Sequence, residues 1–246
     1  MLERSFRLEL RARTLAQYSV AASPVAEQHT STLLERAWTH REESVYPTLF
    51  GRLEGPMSPL TDELFASLGA HAVEPRWLRH GVLVAPPNAN RKSWLYVTSG
   101  LSNPNDARHR SPGRSGIGCE FVLETRERAD WAIWRLQHVL AFEHLLAAGR
   151  FPGKPLLTLY DRLPLRAPIE PESRSSLTWL LVVPSPTGRR RFRLESGWVH
   201  LLHLVGITDG EASYARREGG GALVELLEDA GAYPVTNPGR VPVATG

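Results

Sequence analysis

The chain has 246 residues, of which 42% are hydrophobic and 22% are charged. This balance is that of an ordinary globular protein and is far from that of a disordered or collagen-like chain. With 29 basic and 26 acidic residues, the formal net charge is only +3, so composition alone implies no nucleic-acid partner.

Compartment is indicated by the cysteine content and by the N-terminus. A single cysteine, Cys119, excludes a disulfide within the chain and favours a reducing compartment. The segment Met1 to Arg13 lacks the apolar run of a secretory signal. Uncharged stretches fall short of the ~20 residues that a membrane helix needs. We therefore expect a cytoplasmic protein with no membrane contact.

The first 45 residues mix leucines with many charges and are interrupted near Pro24. This composition predicts an N-terminal helical extension of two helices or an arm. Residues 46–246 are expected to form one further domain. Glycines and prolines between Gly51 and Pro59 mark a loop near the start of that domain.

Strands are predicted after this loop. Val82–Val84 and Trp94–Thr98 are rich in β-branched and aromatic residues, and a Pro-Asn turn separates them. A polar loop is expected over residues 102–118. In the strand that follows, Cys119 to Glu124, successive side chains should lie on opposite faces of a sheet.

Helices are predicted at three places in the second half of the chain. The segment Ala129 to Gly149 has apolar residues at helical spacing and a glycine placed to end the helix. Thr208 and Glu211 have the spacing of a capping box, which predicts a helix start. Ala222 to Ala230 presents leucines on one side and predicts another helix.

Further strands alternate with these helices only irregularly. The continuous apolar run Trp179–Val183 predicts a strand that is buried on both faces. Phe192 and Leu194 alternate with charged residues, which predicts a strand with one solvent-exposed face. Trp198–Val205 is predicted to be another strand. Several strands with segregated helices predict an α+β fold with a mixed β-sheet flanked by helices.

The search for cofactor and metal motifs finds none. Neither a nucleophile elbow nor a phosphate-binding loop occurs. His200 and His203 are three apart on a predicted strand, so they should point to opposite faces. His138 and His144 are six apart on the long helix and are expected at its surface or at the edge of the core. We predict no cofactor and no metal.

An unrecognised hydrolase-type enzyme is one alternative. It would use Glu143 or Cys119 with a nearby histidine, and it requires these residues to converge on one concave pocket. A small buried thiol at Cys119 and a solvated or paired carboxylate at Glu143 are the simpler interpretations.

Clustered arginines suggest a second alternative. Arg189, Arg190, Arg191 and Arg193 form one cluster, and a second cluster lies in the long loop between Arg108 and Arg114. A solvated hairpin explains the first cluster. The two together are also suited to an acidic protein partner or, less so, to nucleic acid, which leaves a nucleic-acid accessory domain open.

Three stretches of the chain resemble the Suppressor-of-fused family, and they occur in the family's order. Trp94–Ser102 resembles the family's YVTSGLS signature. The helix that contains Trp131–Gln137 resembles the family's long helix. Val205–Thr236 resembles its closing segment. The resemblance covers residues 60 to 240, and the first 45 residues are outside it.

The resemblance implies a mixed sheet flanked by helices and no catalytic activity. Animal members clasp an extended peptide of Hedgehog-pathway transcription factors as an added strand between two lobes, whereas this chain resembles one lobe. Bacterial members are thought to be immunity proteins that neutralise polymorphic toxins. The resemblance therefore implies a bacterial domain that binds another protein, with a toxin as its most concrete partner.

It also implies a binding surface. In the animal proteins an aromatic late in the long helix and an acid after a following glycine contact the peptide, and Phe142 and Lys154 stand at those positions here. A base in place of the acid indicates a different partner. Core packing of an aromatic and strand capping by hydroxyls remain the simpler interpretations. The predicted partner-binding residues are Phe142, Lys154, Tyr160, Asp161, Thr98 and Ser99.

Overall fold

The structure is a computed structural model that describes residues 31–104, 112–186 and 190–245. Most of the predicted N-terminal extension, residues 1–30, lies outside the described residues, as do Arg108 and Arg189. The chain from Thr32 onward forms one compact unit.

The first described element is a continuous helical segment. Helix α1 (Leu33–His40) begins at a capping box on Thr32, passes into a π-helical turn (Arg41–Val45) and continues as α2 (Tyr46–Phe50). The segment crosses residue 45, where the extension was predicted to end. The point at which a second domain begins stays a prediction.

Strands and helices follow in an irregular order. The strands are β1 (Glu54–Pro59), β2 (Gly81–Ala85), β3 (Trp94–Ser99), β4 (Arg114–Thr125), β5 (Arg162–Pro164), β6 (Leu177–Pro184), β7 (Arg191–Leu194), β8 (Gly197–Thr208) and β9 (Val235–Thr236). The helices are α3 (Asp62–Ser67), α4 (Asp130–Ala147), α5 (Asp209–Glu218) and α6 (Gly220–Asp229), with a 3₁₀ turn at Pro75–Arg79. None of the described helices combines the length and the apolar character that crossing a bilayer requires.

All these strands join one mixed sheet. The strand order is β1-β2-β3-β4-β8-β6-β5, with β7 paired to the start of β8 and β9 paired to the end of β4. β4 runs parallel to β8 and to β9, and the other pairs are antiparallel. The predicted α+β class with a mixed sheet is therefore confirmed.

One face of the sheet packs against α4. Cys119, Phe121 and Leu123 of β4 lie on this face and Val122 lies on the other, as the alternation predicted. The buried apolar side chains of α4 on this face are Ala132, Leu136, Val139, Leu140, Ala141 and Leu145. The predicted long helix is confirmed, and it ends just before Gly149, whose φ of +72° favours glycine.

Two groups of helices cover the opposite face. The α1–α2 segment packs Tyr46 and Phe50 against β2, β3 and β8. Helices α5 and α6 pack against the end of β8 and against Leu181 and Val183 of β6. Leu180 of β6 contacts the α4 side, so the strand predicted to be buried on both faces is confirmed.

The strand β4 begins earlier than predicted, inside the segment expected to be a loop. Ile117 N–H donates to the carbonyl of Leu101 at 2.7 Å, which fixes this segment against the end of β3. Gly116 has φ of +59°, and a Cβ there would lie 2.4 Å from the same carbonyl. The glycines that predicted a loop therefore belong to an irregular strand. Gly116 allows the backbone of β4 to approach that of Leu101 closely.

Helix α5 begins at the predicted capping box. The Glu211 N–H donates to the Thr208 hydroxyl, and the Thr208 N–H donates to the Glu211 carboxylate. The same carboxylate accepts hydrogen bonds from Arg240, which ties the C-terminal segment to the sheet. The N–H of Val243 also donates to this carboxylate at 2.8 Å. Glu211 therefore both caps the helix and holds the C-terminal segment.

Candidate protein-binding surface

The loop that follows α4 carries three of the six predicted partner-binding residues, Lys154, Tyr160 and Asp161. It runs over residues 150–161 and leads into β5, the strand at one edge of the sheet. Leu159 and Tyr160 stand at its end with 44% and 38% of their surface exposed, among the largest exposures of big apolar side chains in the described chain. An exposed apolar pair therefore lies beside the sheet edge.

Tyr160 is held in a defined position. Its N–H donates to the carbonyl of Val182 at 2.7 Å, and the N–H of Val182 donates to the carbonyl of Asp161 at 2.9 Å. Its φ is +71°, a conformation that is uncommon for a residue other than glycine. Its side chain lies against Gly220, where a Cβ would come within 2.5 Å of the tyrosine Cβ. The ring is thus presented by a fixed backbone.

Phe142 lies near the end of α4, and Lys154 and Asp161 lie on the loop that follows it. Phe142 is half-buried near the end of α4 and its ring packs 5.2 Å from that of Phe151. Lys154 is exposed on a turn that its N–H closes onto the Phe151 carbonyl at 3.1 Å. The Asp161 carboxylate accepts the Thr158 N–H at 2.8 Å, so it stabilises the loop itself.

Glu143 lies beneath this loop and is fully buried. Its carboxylate accepts the N–H of Leu157 at 3.2 and 3.3 Å. Burial is the main cause that raises the pKa of Glu143 to about 8; the Leu157 hydrogen bond opposes this shift and the charge of Asp161 adds to it. The expectation of a solvated or paired carboxylate is wrong, because the loop covers Glu143 and supplies only a backbone donor among the described residues.

Cys119 is also buried, and burial raises the pKa of its thiol well above the usual value, with Glu143 adding to the effect. The thiol is therefore neutral and enclosed. A neighbouring histidine, His144, turns toward His80 instead of toward this pair. A cleft of about 600 Å³ lies elsewhere, between the end of α6 and the C-terminal segment near Val241.

Thr98 does not lie with the loop residues; it helps to enclose the buried carboxylate of Glu120. The Thr98 hydroxyl donates to Glu120 Oε2 at 2.6 Å. Glu120 Oε1 accepts the N–H groups of Gly100 and Ser102 at 3.0 and 2.9 Å, and the Ser102 hydroxyl at 2.6 Å. Four donors from the end of β3 and the loop after it therefore surround this carboxylate.

Arg41 supplies the counter-charge of this site. Its guanidinium is fully buried and lies 3.8 Å from Glu120. It donates to the Ser99 hydroxyl at 2.6 Å and to the Ser102 hydroxyl at 2.9 Å. It also donates to Asn103 Oδ1 at 2.8 Å. Thr98 and Ser99 are thus buried and bonded within the chain, which favours their interpretation as residues that maintain the fold.

A buried histidine pair extends the same network. Asn103 donates its amide to Nε2 of His80 at 2.9 Å, so Nδ1 of His80 donates to Nε2 of His144 at 2.7 Å. Burial holds the pKa of His80 down at about 3 and that of His144 well below its usual value. His144 is stacked on Trp77 at 5.1 Å. The expectation that His144 lies at the surface or core edge is wrong, because this pair satisfies its polar atoms in the core.

Two further histidines of the described chain lie on one strand. The strand β8 carries both His200 and His203, and His203 Nε2 bonds the carbonyl of Pro234 at 3.0 Å. Within residues 31–104, 112–186 and 190–245, no group of three His, Cys, Asp or Glu side chains is placed to hold a metal ion.

Comparison with known proteins identifies the family. The family model described as Suppressor of fused protein (SUFU) matches residues 76–241. The chain belongs to the Suppressor of fused family. A search of the curated proteins found no match. In this Suppressor of fused domain, the signature stretch Trp94–Ser102 forms β3 and the loop that encloses Glu120.

Solved Suppressor of fused structures share this fold. A SUFU homologue from Neisseria gonorrhoeae FA 1090 has a TM-score of 0.59 at 16% identity and covers 85% of this chain and 98% of its own. The Sufu–Fu complex crystal structure has a TM-score of 0.54 at 20% identity, with 76% and 93% covered. Drosophila Suppressor of Fused has a TM-score of 0.52 at 22% identity, with 67% of this chain and 42% of that chain covered. At these identities the similarity establishes the fold and not the partner.

Sequence reasoning missed two features of this Suppressor of fused domain. Leu159 escaped notice because a lone leucine in a loop carries no pattern. Arg41 escaped notice because it lies outside the stretches that resemble the family. A signal for the second feature was present: three hydroxyl residues around Gly100 can surround a buried acid, and such an acid needs a cation.

Proposed function

We propose that this Suppressor of fused domain is a non-enzymatic, cytoplasmic binding protein that holds a partner protein at the loop after α4. The most concrete form is neutralisation of a toxin, as by a bacterial immunity protein. The observation that carries the proposal is the exposed Tyr160, fixed in an uncommon backbone conformation beside the exposed Leu159. Such conformations persist where the surrounding structure determines them, and they concentrate at functional sites.

The aromatic side chains of the loop suit a protein partner. Tyrosine is enriched among the residues that dominate binding energies, since it brings a large contact area at a small loss of conformational entropy. Tyr160 is fixed by Val182 and Gly220 before any partner arrives. Phe142 and Phe151 form a second, half-buried aromatic pair on the same loop and helix end. Lys154 adds a positive charge beside them.

The sheet edges indicate how the partner would be held. β5 has three residues and contains Pro164, and β1 contains Pro56 and Pro59 with an irregular register. Proline and short length blunt an edge, because they remove donors for a further strand. The proposed contact therefore relies on side chains of the loop and not on extensive main-chain pairing at these edges.

Enclosure of Glu143 and Cys119 supports a role without catalysis. Both groups are buried, and burial raises the pKa of each, so neither is presented to a substrate as a charged group. A related structure, the Sufu–Fu complex, contains a protein partner. Transfer of protein binding to this chain is part of the proposal.

The test compares partner capture by three proteins. The tagged full chain, a Tyr160→Ala variant and a Trp134→Ala control are purified from the native host, and co-eluting proteins are quantified by mass spectrometry. Trp134 is an aromatic of α4 with 40% of its surface exposed, close to the exposure of Tyr160. One stoichiometric protein that is lost with Tyr160→Ala and kept with Trp134→Ala is expected. Equal capture by both variants would overturn the assignment of the surface.

Toxin neutralisation has a separate test. The captured protein is expressed alone and together with the chain, and growth is measured. Growth arrest that the wild-type chain relieves and the Tyr160→Ala variant does not is expected. A captured protein that leaves growth unaffected would contradict neutralisation while leaving protein binding intact.

A further inference from the structure

Arg114 meets Arg191 and Arg193, which are distant from it in sequence, on one face of the sheet. In the parallel pair β4–β8, Arg114 is the register partner of Trp198. In the antiparallel pair β7–β8, Arg193 is also a partner of Trp198 and Arg191 is a partner of His200. Register partners point to the same face of a sheet, so the three arginines surround Trp198 and His200. These five residues are called the arginine face.

The arginine face is ordered by stacking on its tryptophan. The guanidinium carbon of Arg191 lies 4.4 Å from the Trp198 ring centroid and that of Arg193 lies 5.6 Å from it. Burial lowers the pKa of His200, and the charges of Arg114 and Arg191 lower it further. All three arginines are exposed. Among the described residues, no carboxylate lies within salt-bridge distance of any of them.

We propose that the arginine face binds an acidic segment of a protein, whose carboxylates pair with Arg114, Arg191 and Arg193. A guanidinium that stacks on a ring keeps its N–H groups at the edge of the plane, where they can donate two parallel hydrogen bonds to a carboxylate. Stacking also fixes the guanidinium before binding, so less side-chain entropy is lost.

Two observations favour a protein segment over nucleic acid. Single-stranded nucleic acid gains much of its affinity by stacking bases on free aromatic faces. The chain's own Arg191 and Arg193 already lie over the Trp198 ring. In addition, the net charge of +3 provides only a weak long-range attraction for a polyanion.

This inference goes beyond the proposed function and does not depend on it. The arginine face and the loop of Phe142 and Tyr160 share no residue. The Tyr160→Ala variant is therefore expected to bind an acidic peptide as the wild type does. Loss of the captured partner with unchanged peptide binding, or the reverse, distinguishes the failure of one proposal from the failure of the other.

The test uses the full chain and a fluorescein-labelled peptide of alternating glutamate and serine, with affinity measured by fluorescence anisotropy at about 50 mM salt. The charge-reversed variant R191E/R193E is expected to bind the peptide at least about tenfold more weakly. R191K/R193K keeps the charge but loses the stacked, planar donors, and a smaller loss of about threefold is expected.

The matched control is R216E/R217E, which reverses two exposed arginines of α5 and changes the net charge by the same amount. It should alter the affinity by less than about twofold. An equal loss in both charge-reversed variants would overturn the proposal, since binding would then follow net charge. Tighter binding of a thymidine oligonucleotide than of the peptide, abolished by R191E/R193E, would also overturn it in favour of nucleic acid.

Discussion

Glu120 and Glu143 are both fully buried glutamates, and they lie on opposite sides of the central sheet. Four donors from the end of β3 and the loop after it, together with the guanidinium of Arg41, surround Glu120. Among the described residues, one backbone N–H, from Leu157, reaches Glu143. Burial of a charge is costly unless donors and a counter-charge compensate it. Glu120 has both, whereas Glu143 avoids the cost by staying protonated.

The difference separates a site that maintains the fold, at Glu120, from a site whose protonation can change with pH, at Glu143. At Glu120 compensation comes from two segments that are remote from it in sequence, residues 98–102 and Arg41, which ties the signature loop and the α1–α2 segment to the sheet. At Glu143 few hydrogen-bond donors compensate the carboxylate among the described residues. Burial raises its pKa to about 8, so the acid stays protonated below that pH. The second site lies directly beneath the loop that we propose as the binding surface.

Removing the counter-charge should break the first site. Arg41→Met is expected to lower the free energy of unfolding by about 3–5 kcal/mol, because Glu120 is then left buried without a cation. Urea denaturation at neutral pH measures this loss. The control is Arg36→Met on the same helix, whose partner Glu195 is exposed, and it should remain close to the wild type. A loss below about 1 kcal/mol for Arg41→Met would show that the donors alone compensate Glu120.

A pH series should reveal the second site. The pKa of Glu143 is about 8 in the folded chain and near 4.5 when unfolded, so folding favours its protonated form. The stability that this proton contributes is complete below pH 4.5 and is lost as the pH rises through 8. Glu143→Gln cannot titrate and should therefore gain on the wild type by roughly 3 kcal/mol between pH 5 and pH 8.

Urea denaturation at several pH values measures the Glu143→Gln effect. Glu225→Gln, which changes an exposed glutamate of α6, should follow the wild-type profile. Parallel profiles for the wild type and Glu143→Gln would contradict the raised pKa of Glu143. Cys119 and Asp161 also face this site and are present in both proteins. The measured quantity is therefore the difference in unfolding free energy between Glu143→Gln and the wild type at each pH.

The smallest expected effect tests whether the signature hydroxyls maintain the fold. Thr98→Val keeps the shape of the side chain, removes one donor from Glu120 and leaves the Phe121 N–H without its acceptor. We expect a loss of about 1–3 kcal/mol in unfolding free energy, with partner binding of the folded protein unchanged. Weakened binding at unchanged stability would instead return Thr98 to the binding surface.

Local pattern predicted most of the fold. The alternation of Cys119, Phe121 and Leu123 with Glu120 and Val122 placed β4 correctly, because the two-residue period of a strand depends only on backbone geometry. The periodicity of α4 and the capping box at the start of α5 were predicted for the same reason. The start of β4 was not, since its glycines are used for a close approach to another strand.

The candidate binding residues stay a prediction, and they were proposed only where they are close together in sequence. Phe142, Lys154, Tyr160 and Asp161 lie on one helix end and one loop; the family resemblance pointed to Phe142 and Lys154, and the other two lie on the same loop as Lys154. The exposed partner of Tyr160, Leu159, was missed, because exposure depends on what covers a residue and not on its neighbours in sequence.

The sequence by itself determined the family, the mixed α+β sheet and which side chains share a face, because periodicity and motifs are local properties of the chain. Tertiary structure alone decided that Arg41 neutralises Glu120, that Glu143 is enclosed, and that Arg114 joins Arg191 and Arg193 around Trp198. Burial and charge pairing depend on contacts between segments that are remote in sequence. Only the assembled sheet brings those segments within a few ångströms of one another.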